Sequence, residues 1–274
     1  MAMATDAATP VRTHVPPPHR LSFAGLVRSE LIKLLTARSL VVLLIVTVLC
    51  TAGISVPVAM TAEAKAGQSA TEALPDFIDT TLLGMQLSIL LVAVLSAVAG
   101  ASDFGNGTIR VVFAAAPRRT PVLAAKLTVI AGVTTGLITV TLLLTAVVAW
   151  LALTPGPLGT PLTSSMSLLS LAGAVIATVA VSVSAASLGC LLRSSGKAIA
   201  AVLGLMIVVS IVLLAIPSRV LPPGFSDHVF GGAVTTLLGT ADDTGAWAGA
   251  VVALVVWSAA FVAGAAASLR RRDA

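Results

Sequence analysis

The residues best suited to binding or chemistry are concentrated in one stretch, residues 102–126, which reads SDFGNGTIRVVFAAAPRRTPVLAAK. Gly105 and Gly107 permit a sharp turn at its start. Asn106 or Thr108 can cap a short helix, which Pro117 would end. The pattern therefore predicts a break, a short helix and a second break between two long apolar runs. Such a charged, punctuated segment is suited to docking a partner protein.

Catalytic and metal-binding patterns are absent from the sequence. The three histidines, His14, His19 and His228, are too scattered for an HExxH motif or a multi-histidine metal site. The chain has no GxSxG motif, and it has no GxxxxGK[ST] loop with which to hold the phosphates of ATP. We therefore predict no catalytic residue, no metal ligand and no enzyme activity in this chain.

The composition is that of an integral membrane protein. The chain has 274 residues, of which 57% are hydrophobic and 10% charged, and its mean hydropathy is +1.06. A soluble domain of this size would need more polar residues to cover its surface. The runs are continuously apolar over about 20 residues, which predicts helices and excludes the alternating pattern of barrel strands. With a net charge of +5, basic residues are expected in cytoplasmic loops, and we predict no nucleic-acid partner.

The predicted fold is an all-α integral membrane protein with six transmembrane helices. Residues 1–20, which contain HVPPPH, are predicted to be a disordered cytoplasmic tail, and residues 21–274 a single transmembrane domain. A helix lying at the membrane interface is predicted over 21–38. The spans are predicted at about 39–60, 80–101, 121–153, 167–192, 198–216 and 247–269.

The predicted interfacial helix has one residue out of place. At 100° per residue, Glu30 falls inside the apolar arc formed by residues such as Leu31 and Leu34. Either this carboxylate pairs with Lys33, or it faces protein rather than lipid. The sequence leaves both alternatives open.

The distribution of charges predicts the orientation. With the N-terminus inside, the loops and tails on the cytoplasmic side hold 14 of the 16 lysines and arginines, and only Lys65 and Arg219 lie outside. Acidic residues lean the other way, with 7 of 11 on the outer side. The positive-inside rule then places both termini in the cytoplasm, which agrees with an even number of spans.

The spans carry almost no ionisable side chains, which argues against a proton-coupled carrier and a charge-lined ion channel. Cys50 and Cys190 lie in different apolar runs and are expected to be packed free thiols. The outer loop 217–245 contains an apolar portion, 230–238, which would either dip back into the membrane or form a partly buried surface loop.

Two segments resemble a known family. The segment VRSELIKLLTARS, at residues 27–39, precedes six spans, and DFGNGTIRVVFAAAPRRTPVLAAK, at residues 103–126, lies between the second and third. This order is similar to that of the permease subunits of type-2 ATP-binding cassette (ABC) exporters, particularly those of high-GC Gram-positive bacteria. The resemblance extends from about Leu21 to the C-terminus. Family members commonly have Glu where this chain has Asp103, so the partner of Asp103 is an open question.

The resemblance implies a half-transporter in the bacterial plasma membrane. Segment 103–119 would be the coupling helix that docks on a separate cytoplasmic ABC ATPase, and the permease would work as a homo- or heterodimer in the lipid bilayer. ATP and Mg²⁺ would be bound by the partner ATPase, and this chain would bind no cofactor. The residues implied in the interfacial helix are Glu30, Lys33 and Arg38. Those implied in coupling to the ATPase are Asp103, Gly105, Asn106, Gly107, Thr108, Ile109, Arg110, Phe113, Pro117, Arg118 and Arg119.

Two other functions remain open from the sequence. A non-transporting membrane sensor or scaffold, which recruits a cytoplasmic partner through loop 102–126, predicts the same topology. An intramembrane enzyme or ion-coupled carrier would need buried ionisable or nucleophilic groups, and the spans offer little beyond scattered Ser and Thr. The transported substrate is not predicted.

Overall fold

The computed structural model describes residues 22–61, 74–105, 119–153, 164–216, 222, 224–240 and 243–271. Every regular element in these ranges is a helix, and no strand occurs among them. In chain order the helices are α1 (Phe23–Thr36), α2 (Arg38–Thr61), α3 (Leu74–Leu82), α4 (Met85–Gly105), α5 (Arg119–Leu153), α6 (Ser165–Leu192), α7 (Ser195–Leu203), α8 (Val209–Ala215), α9 (Phe225–His228), α10 (Phe230–Leu237) and α11 (Thr244–Arg271). A π-helical turn, Gly204–Val208, joins α7 to α8.

Six helical stretches are long and apolar enough to cross a membrane, and α1 precedes all of them. They are Leu40–Thr61 in α2, Pro75–Phe104 in α3 and α4, Thr120–Leu151 in α5, Ser165–Leu192 in α6, Ser195–Val212 in α7 and α8, and Thr244–Arg270 in α11. The predicted all-α fold with six spans is therefore confirmed. The chain is a multi-pass helical membrane protein.

The second span differs from the predicted 80–101 in its extent and its continuity. It begins at Leu74 with α3, is interrupted by a turn at Leu83 and Gly84, and continues as α4 to Gly105. Segment 102–105 is thus the last turn of a transmembrane helix and not the start of a loop. The other five spans agree with the prediction to within three residues at each end, which is the ordinary uncertainty of helix boundaries.

The interruption in the second span is buried against α2. Free backbone groups are tolerated at membrane depth only where protein satisfies them. The Ser55 hydroxyl accepts a hydrogen bond from the Gly84 N–H at 3.0 Å and donates one to the Thr81 carbonyl at 3.4 Å. Thr51 and Ser88 hydroxyls also bond each other across the two helices. The hydroxyls of α2 therefore stabilise the break, a long-range pairing that local sequence does not reveal.

The centre of the bundle is the packing of α4 against α6, which is built from small residues. A Cβ atom at Gly189 would lie 2.5 Å from the Ala97 carbonyl oxygen, and one at Gly100 would overlap the backbone of Ala186. Two helices approach this closely only where the residues in contact are small, as Gly and Ala are here. The mutual approach holds the last turn of α4 firmly against the last turns of α6.

The apolar portion of loop 217–245 lies inside the bundle. The Phe230 ring is fully buried and meets the rings of Trp257 and Phe261 edge to face, with centroids 6.3 and 6.1 Å apart. Trp257 is 13 residues into α11, about 20 Å from its start at 1.5 Å per residue. The sequence left open whether this portion dips back into the membrane or forms a partly buried surface loop. The geometry supports the first alternative, because Phe230 packs against α11 nearly halfway along that helix.

Candidate functional site at the basic end of the bundle

The nine lysines and arginines of the described residues all lie at one end of the bundle, which we call the basic end. They are Arg28, Lys33, Arg38, Arg119, Lys126, Arg193, Lys197, Arg270 and Arg271. An apolar cluster that includes Leu34, Leu127 and Leu269 joins α1, α5 and α11 there. Residues far apart in the sequence are thereby brought to one surface.

Four charged side chains at the basic end form a set of ion pairs, which we call the charge network. Lys33 Nζ lies 2.6 Å from Glu30 Oε1 and 3.4 Å from Asp103 Oδ1. Lys126 Nζ lies 2.7 Å from Asp103 Oδ2 and 3.4 Å from Glu30 Oε2. Each ammonium group therefore contacts both carboxylates. The network links α1, α4 and α5.

Three members of the charge network are buried. Glu30, Asp103 and Lys126 each expose less than a tenth of their surface, whereas the side chain of Lys33 is 39% exposed. Lys126 also donates a hydrogen bond to the Ala99 carbonyl at 3.1 Å. Buried charges persist only when they are paired and hydrogen-bonded, because removing an ion from water costs several kcal/mol. The two positive and two negative charges of the network balance one another.

Local helix geometry places each member of the charge network. Ser22 begins α1, its hydroxyl accepting from the Gly25 N–H at 3.1 Å. Glu30 and Leu34 are four residues apart and share the buried face of α1. Asp103 lies in the last turn of α4, and Lys126 lies two turns into α5. Asp103 and Lys126 therefore flank, from both sides, the segment that connects α4 to α5.

Glu30 resolves an ambiguity of the sequence, because both alternatives hold. Its carboxylate pairs with Lys33, and it faces protein through Lys126. The opposite face of α1 exposes Leu31, Ile32 and Leu35, as expected for a helix at a membrane interface. Glu30 therefore interrupts the apolar arc of α1 because its carboxylate pairs with Lys126 of α5.

Arg193 extends the basic surface from the turn between α6 and α7. It ends α6 with a left-handed backbone, φ 52°, and its guanidinium carbon lies 5.3 Å from the centroid of the Phe104 ring. A guanidinium at this distance from a ring is attracted by the ring's π face. Because Phe104 follows Asp103, Arg193 is held next to the charge network.

A cavity of about 670 Å³ lies beside the charge network. The residues that line it come from α1, the start of α2, the last turns of α4, the first half of α5 and the turn before α7. Charged side chains line part of the wall, and apolar side chains of α2, α4 and α5 line the rest. The site is therefore a mixed polar and apolar cavity at the end of the bundle.

The sequence-predicted site residues are only partly described. Glu30, Lys33 and Asp103 come together in the charge network. Arg38 is exposed at the start of α2, outside the network. Gly105 ends α4 and Arg119 begins α5. The predicted coupling residues Asn106, Gly107, Thr108, Ile109, Arg110, Phe113, Pro117 and Arg118 lie outside the described residues.

Sequence reasoning misses two residues of the site. Lys126 closes the segment 102–126 but receives no role from the sequence, although a lysine at the start of a long apolar run needs a partner. In the sequence, Arg193 is only one of the basic residues expected on the cytoplasmic side. Nothing local relates it to Phe104, which lies 89 positions earlier in the sequence. Asp103, whose partner the sequence leaves open, pairs with Lys126 and Lys33.

Comparison with known proteins adds no family assignment. No family model matches this chain, and a search of curated proteins returns no significant match. What the fold defines is the class: a multi-pass helical membrane protein with six candidate spans and a paired, buried set of charges at one end.

Proposed function

We propose that this chain is the permease subunit of an ATP-driven ABC exporter in the bacterial plasma membrane, working as a dimer with separate cytoplasmic ATPase subunits. The observation that carries the proposal is the charge network. It joins the two segments on which the family resemblance rests, because Glu30 and Lys33 come from the first, and Asp103 and Lys126 come from the second.

The charge network supports a mechanical role. A force applied to segment 106–118 acts on the end of α4 and the start of α5. Because Asp103 and Lys126 are 2.7 Å apart, those two helix ends move together, and Glu30 couples α1 to them. The close packing of Gly100 against Ala186 passes the movement from α4 to α6. In this proposal ATP binding and hydrolysis occur in the partner, and this chain transmits the resulting movement across the membrane.

Orientation supports the same assignment. Since the positive-inside rule places clustered lysines and arginines in the cytoplasm, the basic end is proposed to face the cytoplasmic ATPase. In the described part of the chain, Asp76, Asp79 and Asp243 lie toward the other end of the bundle. A docking segment at the basic end is then on the side where ATP is available.

The proposal is tested by co-purification with an ATPase. The chain is co-expressed with a candidate ATPase, chosen as a neighbouring reading frame that carries a P-loop, and association and ATP turnover are measured in liposomes. Asp103→Asn leaves Lys126 without one of its two carboxylates, so we expect the ATP turnover stimulated by the permease to fall by at least tenfold, a loss of about 1.4 kcal/mol in coupling. Arg110→Gln is expected to weaken association.

The control is Arg270→Gln, which removes an exposed charge from the same end of the bundle without touching the charge network. This variant is expected to behave as the unmodified protein. If Asp103→Asn and Arg110→Gln both associate with the ATPase and stimulate its ATP turnover normally, the proposed coupling role is wrong. If the complex binds the ATPase but never stimulates it with any amphiphile, a sensor or scaffold is the better assignment.

A further inference from the structure

The segment that folds back along α11 has an apolar half and a polar half. The apolar half is α10, in which five of the eight residues are buried in the bundle. The polar half is α9, where Ser226 and His228 are exposed and Asp227 is partly exposed. A hydroxyl and two ionisable side chains therefore lie on the surface of α9, far from the charge network at the basic end.

The contacts of His228 with α11 give the depth of α9. The His228 imidazole occupies the room that Gly249 leaves, since a Cβ atom there would lie 3.3 Å from its Nε2 atom. The Trp257 indole N–H donates to the His228 carbonyl at 3.3 Å. Gly249 and Trp257 are five and thirteen residues beyond Thr244, or about 8 and 20 Å into α11 at 1.5 Å per residue.

These distances place His228 within the hydrocarbon layer. The stretch Thr244–Arg270 that crosses the membrane has 27 residues, which makes it about 40 Å long, against a hydrocarbon core of about 30 Å. A centred span then extends about 5 Å beyond the core at each end. Both contacts of His228 with α11 are deeper than that.

The backbone is irregular and exposed at this depth. Val229 is extended and separates α9 from α10, and His228 before it is exposed. Non-helical backbone at membrane depth is tolerated only where protein buries it or where it lines a water-filled cavity. Burial within this chain does not cover α9, so the second condition is the one that its exposed residues fit.

The carboxylate of Asp227 has the same requirement. Its Oδ1 atom accepts a hydrogen bond from the exposed Ser226 hydroxyl at 3.3 Å. His228 Nδ1 lies 2.8 Å from the Gly224 carbonyl and donates to it, because a carbonyl oxygen can only accept. Among the described residues Asp227 forms no ion pair, and the described lysines and arginines lie at the basic end. A carboxylate at membrane depth is costly unless it meets water or a cation.

We propose that α9 lines a water-filled recess, open at the end of the bundle opposite the basic end, in which Asp227 binds the ammonium group of an organic cation. The carboxylate supplies the opposite charge, and the Ser226 hydroxyl supplies a second oxygen acceptor beside it. The site rests on the depth and exposure of α9 and not on the proposed function. It can therefore be tested without an ATPase.

The test measures how fast a cysteine in α9 reacts with charged reagents. Ser226→Cys, in a background of Cys50→Ala and Cys190→Ala, is placed in lipid nanodiscs, where reagents reach both ends of the bundle. It is expected to react with a cationic and with an anionic methanethiosulfonate, because water reaches α9. Asp227 attracts the first reagent and repels the second, so adding Asp227→Asn is expected to lower the cationic-to-anionic rate ratio about tenfold.

The matched control is Asp243→Asn. It removes a carboxylate from the start of α11 but keeps a side chain that can cap this helix, as Asp243 does through the Gly245 and Ala246 N–H groups. The rate ratio at Ser226→Cys is expected to stay unchanged. Equal rate ratios for Asp227→Asn and Asp243→Asn would overturn the cation site.

A second measurement tests binding itself. Tetraethylammonium chloride is expected to slow the reaction of Ser226→Cys with N-ethylmaleimide at least threefold, relative to sodium chloride at equal ionic strength. Asp227→Asn is expected to remove this protection, and its absence in the parent variant would overturn the ammonium site. If Ser226→Cys reacts only after denaturation, the recess itself is overturned, because lipid or a second copy of the chain then covers α9.

Discussion

At the scale of single residues, folding brings four charged side chains from three helices together in the charge network. Lys126 and Lys33 have the same chemistry but different burial, and burial decides how much each contributes. Lys126 is surrounded by protein and shared by two buried carboxylates, whereas the Lys33 ammonium is partly in water. Exposed ion pairs contribute little to stability, while breaking a buried pair leaves an uncompensated charge.

This contrast gives a prediction for two lysines. Lys126→Met is expected to destabilise the protein by about 3–5 kcal/mol, because it removes the buried ammonium group that Glu30 and Asp103 share. Lys33→Met is expected to cost less than half as much. The measurement is reversible unfolding in mixed micelles, with the exposed Lys197→Met as control. Equal losses of unfolding free energy for Lys126→Met and Lys33→Met would show that burial does not determine how much each lysine contributes to stability.

At the scale of helices, the packing of α4 against α6 positions the charge network. Asp103 is three residues beyond Gly100, so the close approach of Gly100 to Ala186 determines where the carboxylate lies. The hydroxyl contacts between α2 and the break at Gly84 hold the other half of the same span. The second span is thus held by α2 near Gly84 and by α6 near Gly100.

Glycine substitutions test this packing. Gly100→Ala places a Cβ atom within the backbone of Ala186, and we expect a loss of at least about 1–3 kcal/mol from overpacking. A Cβ atom at Gly132 on α5 would have no neighbour within 4 Å, so Gly132→Ala is expected to be neutral or to stabilise by up to about 1 kcal/mol. Thermal unfolding of both variants in the same detergent is the measurement. Equal melting temperatures would contradict the role of the α4–α6 contact.

At the scale of the whole molecule, an even number of spans places the start of α2 and the end of α11 at the same end of the bundle. The described lysines and arginines gather there, and Asp243 lies at the start of α11, at the other end. The membrane-facing surface between them consists of apolar side chains such as Ile45, Leu144 and Val256. The protein therefore has two chemically distinct ends.

Labelling of cysteines tests the orientation of these ends. In a background of Cys50→Ala and Cys190→Ala, Asp243→Cys is expected to react with a membrane-impermeant maleimide in intact cells. Arg270→Cys is expected to react only after permeabilisation, because the basic end should face the cytoplasm. Labelling of Arg270→Cys in intact cells would show that the basic end faces outward. The proposed contact with a cytoplasmic ATPase would then be impossible.

The class of fold follows from the amino-acid sequence alone. Continuous apolar runs such as 167–192 must be helical in a membrane, because no water is available there to bond a free backbone. The same reasoning locates six spans and the helix α1 that precedes them. The helical periodicity of 21–38 marks Glu30 as a charge inside an apolar arc, and the family resemblance singles out Asp103.

Which charges meet depends on how the helices assemble. Lys126 and Glu30 are 96 positions apart, and no local pattern predicts that they share a site. The break at Gly84 is also invisible in the sequence, because the hydroxyl that satisfies it belongs to another helix. Hydropathy is a property of each residue and is therefore readable along the chain. Ion pairing and close packing are properties of pairs of residues, and these pairs form only in the folded bundle.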